Sequence, residues 1–243
     1  MRPIYRPSGK AREYADWALN LYTGCPNGCA YCYAPAVLRK SREEFAVMAK
    51  PRTGIVEAAR RQLAREDFGG ELIHLCFTCD PYPTGMPTMI TRDAIEAIHE
   101  AGAFVQVLTK NPTLAERDFD VLGAGDRFGV TYTGAGEEVE PNSDSGDVRL
   151  EVLKEAKRRG LSTWVSCEPV IDMTAVHELI IRGHYIDKFR VGKMSHAKTR
   201  DPFEWGRFGA ICEELAENYG RNLTLKESLK EDVGRWEDWI ATT

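Results

Sequence analysis

The sequence predicts an α/β protein whose parallel sheet curves into a partial (β/α)6 TIM-type barrel. Short apolar runs alternate along the chain with segments of helical periodicity, the pattern of successive βα units. The 243 residues suffice for one large α/β domain, and with 43% hydrophobic residues a sizeable core can form. No internal repeat or low-complexity segment interrupts the alternation.

Residues 1–16 form a basic segment, with Arg2, Arg6, Lys10 and Arg12 ahead of the first acid, and read as a solvated tail. The barrel is expected over 17–225. Its first strand is Ala18–Tyr22, followed by a cysteine-rich loop. A helix over Gly54–Glu66 places Ile55, Ala59 and Leu63 on one face. Strand two is Leu72–Thr78; the next helix opens with Thr91 as N-cap and stops at Gly102. Strand three, Phe104–Thr109, leads to a helix over Leu114–Leu122 and to strand four, Arg127–Thr131. A polar loop from Gly134 to Gly146 precedes a helix over Val148–Arg159, closed by Gly160. Strand five is Thr163–Cys167, a helix covers Thr174–Arg182, and strand six is Asp187–Gly192. Asp201-Pro202 caps a helix reaching Tyr219, with Trp205, Phe208, Cys212, Leu215 and Tyr219 as its stripe. A last strand spans Leu223–Lys226, and the tail 226–243 packs on the barrel, Trp236 and Trp239 covering an open edge.

The composition narrows the function classes. A net charge of −5 disfavours indiscriminate nucleic-acid binding, which works by neutralising phosphates. No apolar run approaches a membrane span, and the first residues lack the apolar stretch of a signal peptide. These features, with an odd count of seven cysteines, predict a cytoplasmic protein without a disulfide framework.

The strongest chemical signal is Gly24-Cys25-Pro26-Asn27-Gly28-Cys29-Ala30-Tyr31-Cys32-Tyr33. Three thiols within eight residues, in a stretch that Pro26, Asn27 and Gly28 allow to curl, point to a soft metal or a metal–sulfur cluster. A structural zinc site takes four protein ligands, and no His or Cys occurs between Cys32 and His74. A zinc knuckle or free thiols remain the alternatives.

Strand alternation places further polar groups. With Ile73, Leu75, Phe77, Val105, Val107, Val165, Cys167, Phe189 and Val191 facing the helices, the lumen receives His74, Cys76, Thr78, Gln106, Lys110, Trp164, Ser166, Glu168 and Arg190. Gly129 leaves strand four open between Thr131 and Tyr132. Unpartnered burial of such groups is costly, so a polar ligand is expected across the strand ends. Lys193 and Lys226 are weaker candidates, His74 reads as a core histidine and Asp80 as a turn cap.

The Cys-x3-Cys-x2-Cys spacing, with an aromatic before its last cysteine, resembles the cluster loop of the radical S-adenosylmethionine (SAM) superfamily. The words Asn20-Leu21-Tyr22-Thr23-Gly24-Cys25 and Cys32-Tyr33-Ala34 most resemble the branch related to spore photoproduct lyase. The resemblance covers roughly residues 17–193 and implies a partial barrel of the radical SAM type. It implies a [4Fe–4S] cluster on Cys25, Cys29 and Cys32, with SAM on the fourth iron. Phe77-Thr78-Cys79-Asp80-Pro81-Tyr82 and Leu108-Thr109-Lys110 match later motifs, so Thr78 and Thr131 become hydroxyl contacts and Lys110 a partner of the SAM carboxylate. Tyr31 and Tyr33 then pack on adenine or cluster, with core aromatics the alternative, and Val170 gives a backbone contact to adenine. Glu168 is a catalytic candidate, and Cys76, rather than Cys79, the hydrogen donor that the lyase carries near strand two. The implied chemistry is reductive cleavage of SAM by an electron from a flavodoxin- or ferredoxin-type donor, giving a 5′-deoxyadenosyl radical that abstracts hydrogen from a substrate. The lyase is longer, with a DNA-binding C-terminal region, so its repair substrate is not carried over. A nucleic-acid or nucleotide substrate is favoured, radical modification of a peptide or partner protein is the alternative, and a non-catalytic metal-binding regulatory module stands outside both.

Overall fold

The computed structural model describes residues 2–194 and 201–242. The chain opens with β1 (Ile4–Tyr5), a 3-10 turn over Gly9–Glu13, β2 (Trp17–Leu19) and β3 (Tyr22–Thr23). After the cysteine loop come α1 (Ala34–Val37), α2 (Arg42–Val47), β4 (Lys50–Pro51) and α3 (Ile55–Leu63). The regular alternation follows: β5 (Leu72–Leu75), α4 (Met89–Glu100), β6 (Phe104–Thr109), α5 (Pro112–Ala115), β7 (Arg127–Thr131), α6 (Gly146–Arg158), β8 (Ser162–Cys167), α7 (Met173–Arg182) and β9 (Lys188–Val191). The chain finishes with α8 (Pro202–Asn218), β10 (Leu223–Leu225) and α9 (Glu227–Thr242).

Among the described residues eight strands form one sheet in the order β1-β2-β5-β6-β7-β8-β9-β10. β1 is antiparallel to β2 and every other pair is parallel, while β3 and β4 make a separate ribbon. The expected α/β partial barrel is therefore present. The sheet curves around one side chain, Tyr14: its ring lies 6.1 Å from His74 of β5, 6.0 Å from Trp164 of β8 and 5.1 Å from the Arg190 guanidinium of β9. On the opposite face Ile73, Leu75, Val105, Val107, Phe128, Val130, Val165, Phe189 and Val191 are buried in the apolar core. Leu153, Val176, Ile180 and Phe208 of the covering helices join them. Ser145, Asp172 and Asp201 cap α6, α7 and α8 with their side chains.

Several elements depart from expectation. The first segment is not a solvated tail: Ile4 is buried and pairs with Leu19, and Arg2 binds Glu66 at 2.7 Å. Its four cations overshadow the apolar Ile4 and the two tyrosines that anchor it. Thr91 lies inside α4 and donates to Pro81 O instead of capping the helix. The helix expected over Leu114–Leu122 starts earlier, at Pro112, and gives way to a 3-10 turn over Glu116–Asp118, where Asp118 is held by Tyr82 and Arg92. Tyr219 ends the α8 stripe half-exposed at the helix terminus. The tail is a full helix, α9, lying on α8 with Leu229 and Val233 inward. Their approach needs Gly206, where a Cβ would stand 2.3 Å from Asp232 O.

Candidate functional site

The cysteine loop leaves β3 and is held by two neighbouring segments. Cys25 N donates to Phe45 O at 3.4 Å, and Ala30 N donates to Val139 O at 2.9 Å. Asn142 of the polar loop donates its side-chain amide to Pro26 O and its backbone amide to Asn27 O. Cys29 is buried, and Cys25 and Cys32 are half-buried. Burial pushes the Cys25 and Cys29 thiols up, and the Lys110 ammonium draws Cys29 back down. Among the described residues no three His, Cys, Asp or Glu side chains meet as a single metal ion would require. Three thiols spread along one loop, beside a half-buried cation, are a donor set that fits a cluster with several irons. The Ser143 hydroxyl, in the loop that braces the cysteines, is buried without a partner.

The loop is tied to the barrel by Asp80. One carboxylate oxygen accepts from Tyr82 N at 2.8 Å and Thr109 Oγ1 at 2.6 Å; the other accepts from Lys110 N at 2.9 Å and Asn27 Nδ2 at 3.2 Å. Asp80 thus caps its own turn, as expected, and also joins that turn to the end of β6 and to the cysteine loop. Lys110 follows β6, its ammonium 5.4 Å from the Tyr31 ring centroid. Burial disfavours its charge, but the Tyr31 phenol, the Cys29 thiol and the Glu140 carboxylate outweigh burial and hold it protonated.

Glu140 and Arg149, which sequence reasoning missed, complete this wall. They form a buried ion pair at 2.6 Å. Glu140 also accepts from the Tyr31 hydroxyl, and Arg149 donates to Lys110 O at 3.2 Å, Asp144 O at 2.8 Å and Thr131 O at 3.0 Å. Their positions, one in a polar loop and one on a helix, carry no spacing signal.

Gly129 settles the ambiguity in β7. A Cβ there would stand 2.3 Å from the Trp164 indole, so Gly129 faces the lumen, and Thr131, two residues on, shares that face. Inside the lumen Trp164 Nε1 donates to Val107 O at 3.0 Å, and Gln106 pairs with His74 at 3.1 Å. Burial first, then Arg190, lowers His74 to about 3. At the strand ends the Tyr14 hydroxyl lies 2.7 Å from Ser166 Oγ and donates to Glu168 at 2.5 Å, while Lys226 binds Glu168 at 2.9 Å. Tyr14 was not a candidate from sequence. Burial, then the charge of Glu168, raises its phenol, which stays protonated.

Three expected placements change. Leu72–Leu75 ends short of Thr78 because Cys76 has a left-handed backbone, φ 76°. Strand alternation ends there: Phe77, expected outward, stacks on His74 with ring centroids 4.2 Å apart, and Cys76 leaves the lumen. Its Sγ accepts from Leu21 N at 3.4 Å within the apolar core. Val170 is buried and its amide already donates to Gly192 O, so that N–H is not open to adenine. Tyr33 is not a core aromatic but half-exposed, its hydroxyl donating to Phe77 O at 2.6 Å. Thr78 stands beside it, half-buried, with its amide on Asn20 Oδ1.

The family model described as the radical SAM superfamily matches residues 19–174. The chain belongs to the radical SAM superfamily. The family implies SAM and an iron–sulfur cluster. A relative from Acidianus two-tailed virus, the uncharacterised protein ORF301, is 28% identical over 203 residues, 72% of this chain and 66% of its own length. The chain thus spans just under two thirds of that relative. A spore photoproduct lyase variant with bound AdoMet and dinucleoside spore photoproduct superposes with TM-score 0.70 at 15% identity, covering 90% of this chain and 78% of the other. Streptococcus suis SuiB bound to S-adenosylmethionine gives TM-score 0.63 at 12% identity, covering 86% and 49%. These two likenesses show the shared fold. No described helix is long and apolar enough to cross a membrane.

Proposed function

We propose that Cys25, Cys29 and Cys32 hold a [4Fe–4S] cluster and that SAM lies between that loop and the ends of β5, β6 and β7. The observation that carries this reading is the half-buried Lys110, its ammonium against the Tyr31 ring, braced by Asp80 and Arg149 next to the cysteine loop. A half-buried cation without a carboxylate hydrogen-bonded to its ammonium is suited to a ligand carboxylate. Thr78 and Thr131 add hydroxyls on either side, and Tyr33 an aromatic wall. When bound, cluster and SAM supply reductive cleavage to methionine and a 5′-deoxyadenosyl radical, which takes a hydrogen atom from the substrate.

The protein's own part is to position and to exclude water. Asp80 fixes the loop against β6, and Glu140 with Arg149 fixes Tyr31 against β7. Tyr14 fills the lumen from below, leaving Glu168 and Lys226 at the mouth as the pair that orients the substrate. Cys76, in the apolar core, is not assigned the hydrogen-donor role. A nucleotide-type substrate is favoured by the likeness to spore photoproduct lyase, one structure of which carries a dinucleoside. The reductant is a low-potential protein carrier.

Anaerobic reconstitution tests this reading. Iron and sulfide bound to the protein, with SAM converted to 5′-deoxyadenosine on dithionite addition, is the expected result. Zinc without SAM turnover overturns it. Binding of a thymidine dinucleoside that weakens in Glu168→Gln supports the substrate class.

A further inference from the structure

The stretch from Val37 to Lys50 forms a surface that the catalytic reading leaves unused. It roofs the cysteine loop from outside the barrel. Phe45 is its buried anchor, Cys25 N donates to Phe45 O, and Arg42 Nη1 donates to Cys29 O at 3.0 Å. Its outer side is apolar where solvent would favour polar groups: Val37 is 63% and Val47 87% exposed, and Leu38 lies between them in sequence, also exposed.

The patch also carries an excess of positive charge. Arg39, Lys40, Arg42 and Lys50 are all exposed there, against Glu43 and Glu44. Both carboxylates keep their charge, held by Ser41, whose amide donates to Glu44 in a capping box and whose side chain hydrogen-bonds Glu43. The patch is a positive island on a chain whose net charge is −5. Exposed aliphatic side chains beside an excess of one charge mark an interaction surface, and a local field of one sign selects and steers a partner of the other.

We propose that this surface docks the acidic redox protein that delivers the electron for SAM cleavage. The inference rests on the proposed radical SAM chemistry and adds where and by what charge the reductant is recognised. A partner seated here touches the backbone segments that bond directly to Cys25 and Cys29. One electron leaves the reduced flavin or iron–sulfur centre of the donor, which is oxidised, and enters the enzyme; no bond is made or broken in the transfer. Nucleic acid fits less well, because the exposed apolar groups are aliphatic and offer no ring for base stacking.

The test pairs two reductants on the reconstituted holoenzyme. In Arg39→Glu/Lys40→Glu, whose side chains bond nothing in the cysteine loop, 5′-deoxyadenosine formation driven by reduced flavodoxin drops about tenfold or more. The rate with dithionite is unchanged. The wild-type flavodoxin rate falls with rising salt, and the variant's does not. Equal flavodoxin rates for both proteins overturn the proposal, as does wild-type turnover with dithionite but none with flavodoxin. Loss of single-stranded oligonucleotide binding in the variant at an unchanged flavodoxin rate also overturns it and makes the face a nucleic-acid surface. Absence of wild-type turnover with dithionite is a different result, and strikes the catalytic reading instead.

Discussion

Asp80 shows how one short side chain organises the site. Four donors from the cysteine loop, its own turn and the end of β6 share its two oxygens. Asp80→Ala strands them in a buried place, and the expected loss is about 3 kcal/mol, read as a lower denaturant midpoint. Asp80→Asn, which keeps acceptor capacity on one oxygen, loses less. Lys110 has the opposite character: little in the fold needs its ammonium. Lys110→Met is expected to retain iron and sulfide while SAM affinity falls about tenfold or more, measured by equilibrium binding. A variant that loses its iron as well assigns the lysine to the cluster loop's folding. The cysteine trio stands out in the sequence by its local spacing, and Lys110 and Thr131 by the family motifs they resemble. Tyr14, Glu140 and Arg149 do not, since each acquires its role by meeting residues far away in sequence.

At the scale of elements the sequence revealed the strands well. β6 and β7 run as expected because turn residues bracket short segments rich in β-branched and aromatic residues. β5 fell short at Cys76, where an apolar residue adopts a left-handed backbone that no propensity announces. That single residue moved Phe77 into the lumen and Cys76 out of it, showing how narrowly parity depends on an unbroken strand. α9 was illegible for another reason. Its charged surface and two tryptophans masked Leu229 and Val233, whose partner is a glycine face on α8. Gly206→Val forces a methyl pair onto Asp232 O and separates the two helices. The expected cost is about 2 kcal/mol in thermal or chemical unfolding. Because that face lies outside the lumen, SAM affinity at low temperature stays that of the wild type.

The molecule as a whole is a sheet curved round a polar interior, and its stability inherits a pH dependence from that interior. His74 faces Gln106, Tyr14, Phe77 and Trp164, with Arg190 adding positive charge nearby. Burial, then Arg190, depresses its folded-state value to about 3, against an unperturbed 6.5. A depressed histidine binds its proton in the unfolded chain before the folded one. Its contribution is therefore complete above pH of about 6.5 and is lost as pH falls towards about 3, at a slope approaching 1.4 kcal/mol per pH unit, an order-of-magnitude figure. Most carboxylates stay ionised over the upper part of that window, so unfolding free energies between pH of about 6.5 and 5 isolate the histidine contribution. His177, also lowered by burial, adds to the slope in both proteins of the comparison. His74→Gln keeps a hydrogen-bonding side chain opposite Gln106 but cannot titrate. Whatever its absolute stability, its free energy falls less steeply with acid, and the difference between the two slopes is the His74 contribution. Parallel slopes for the two proteins would mean that His74 takes up its proton inside the barrel as readily as in water.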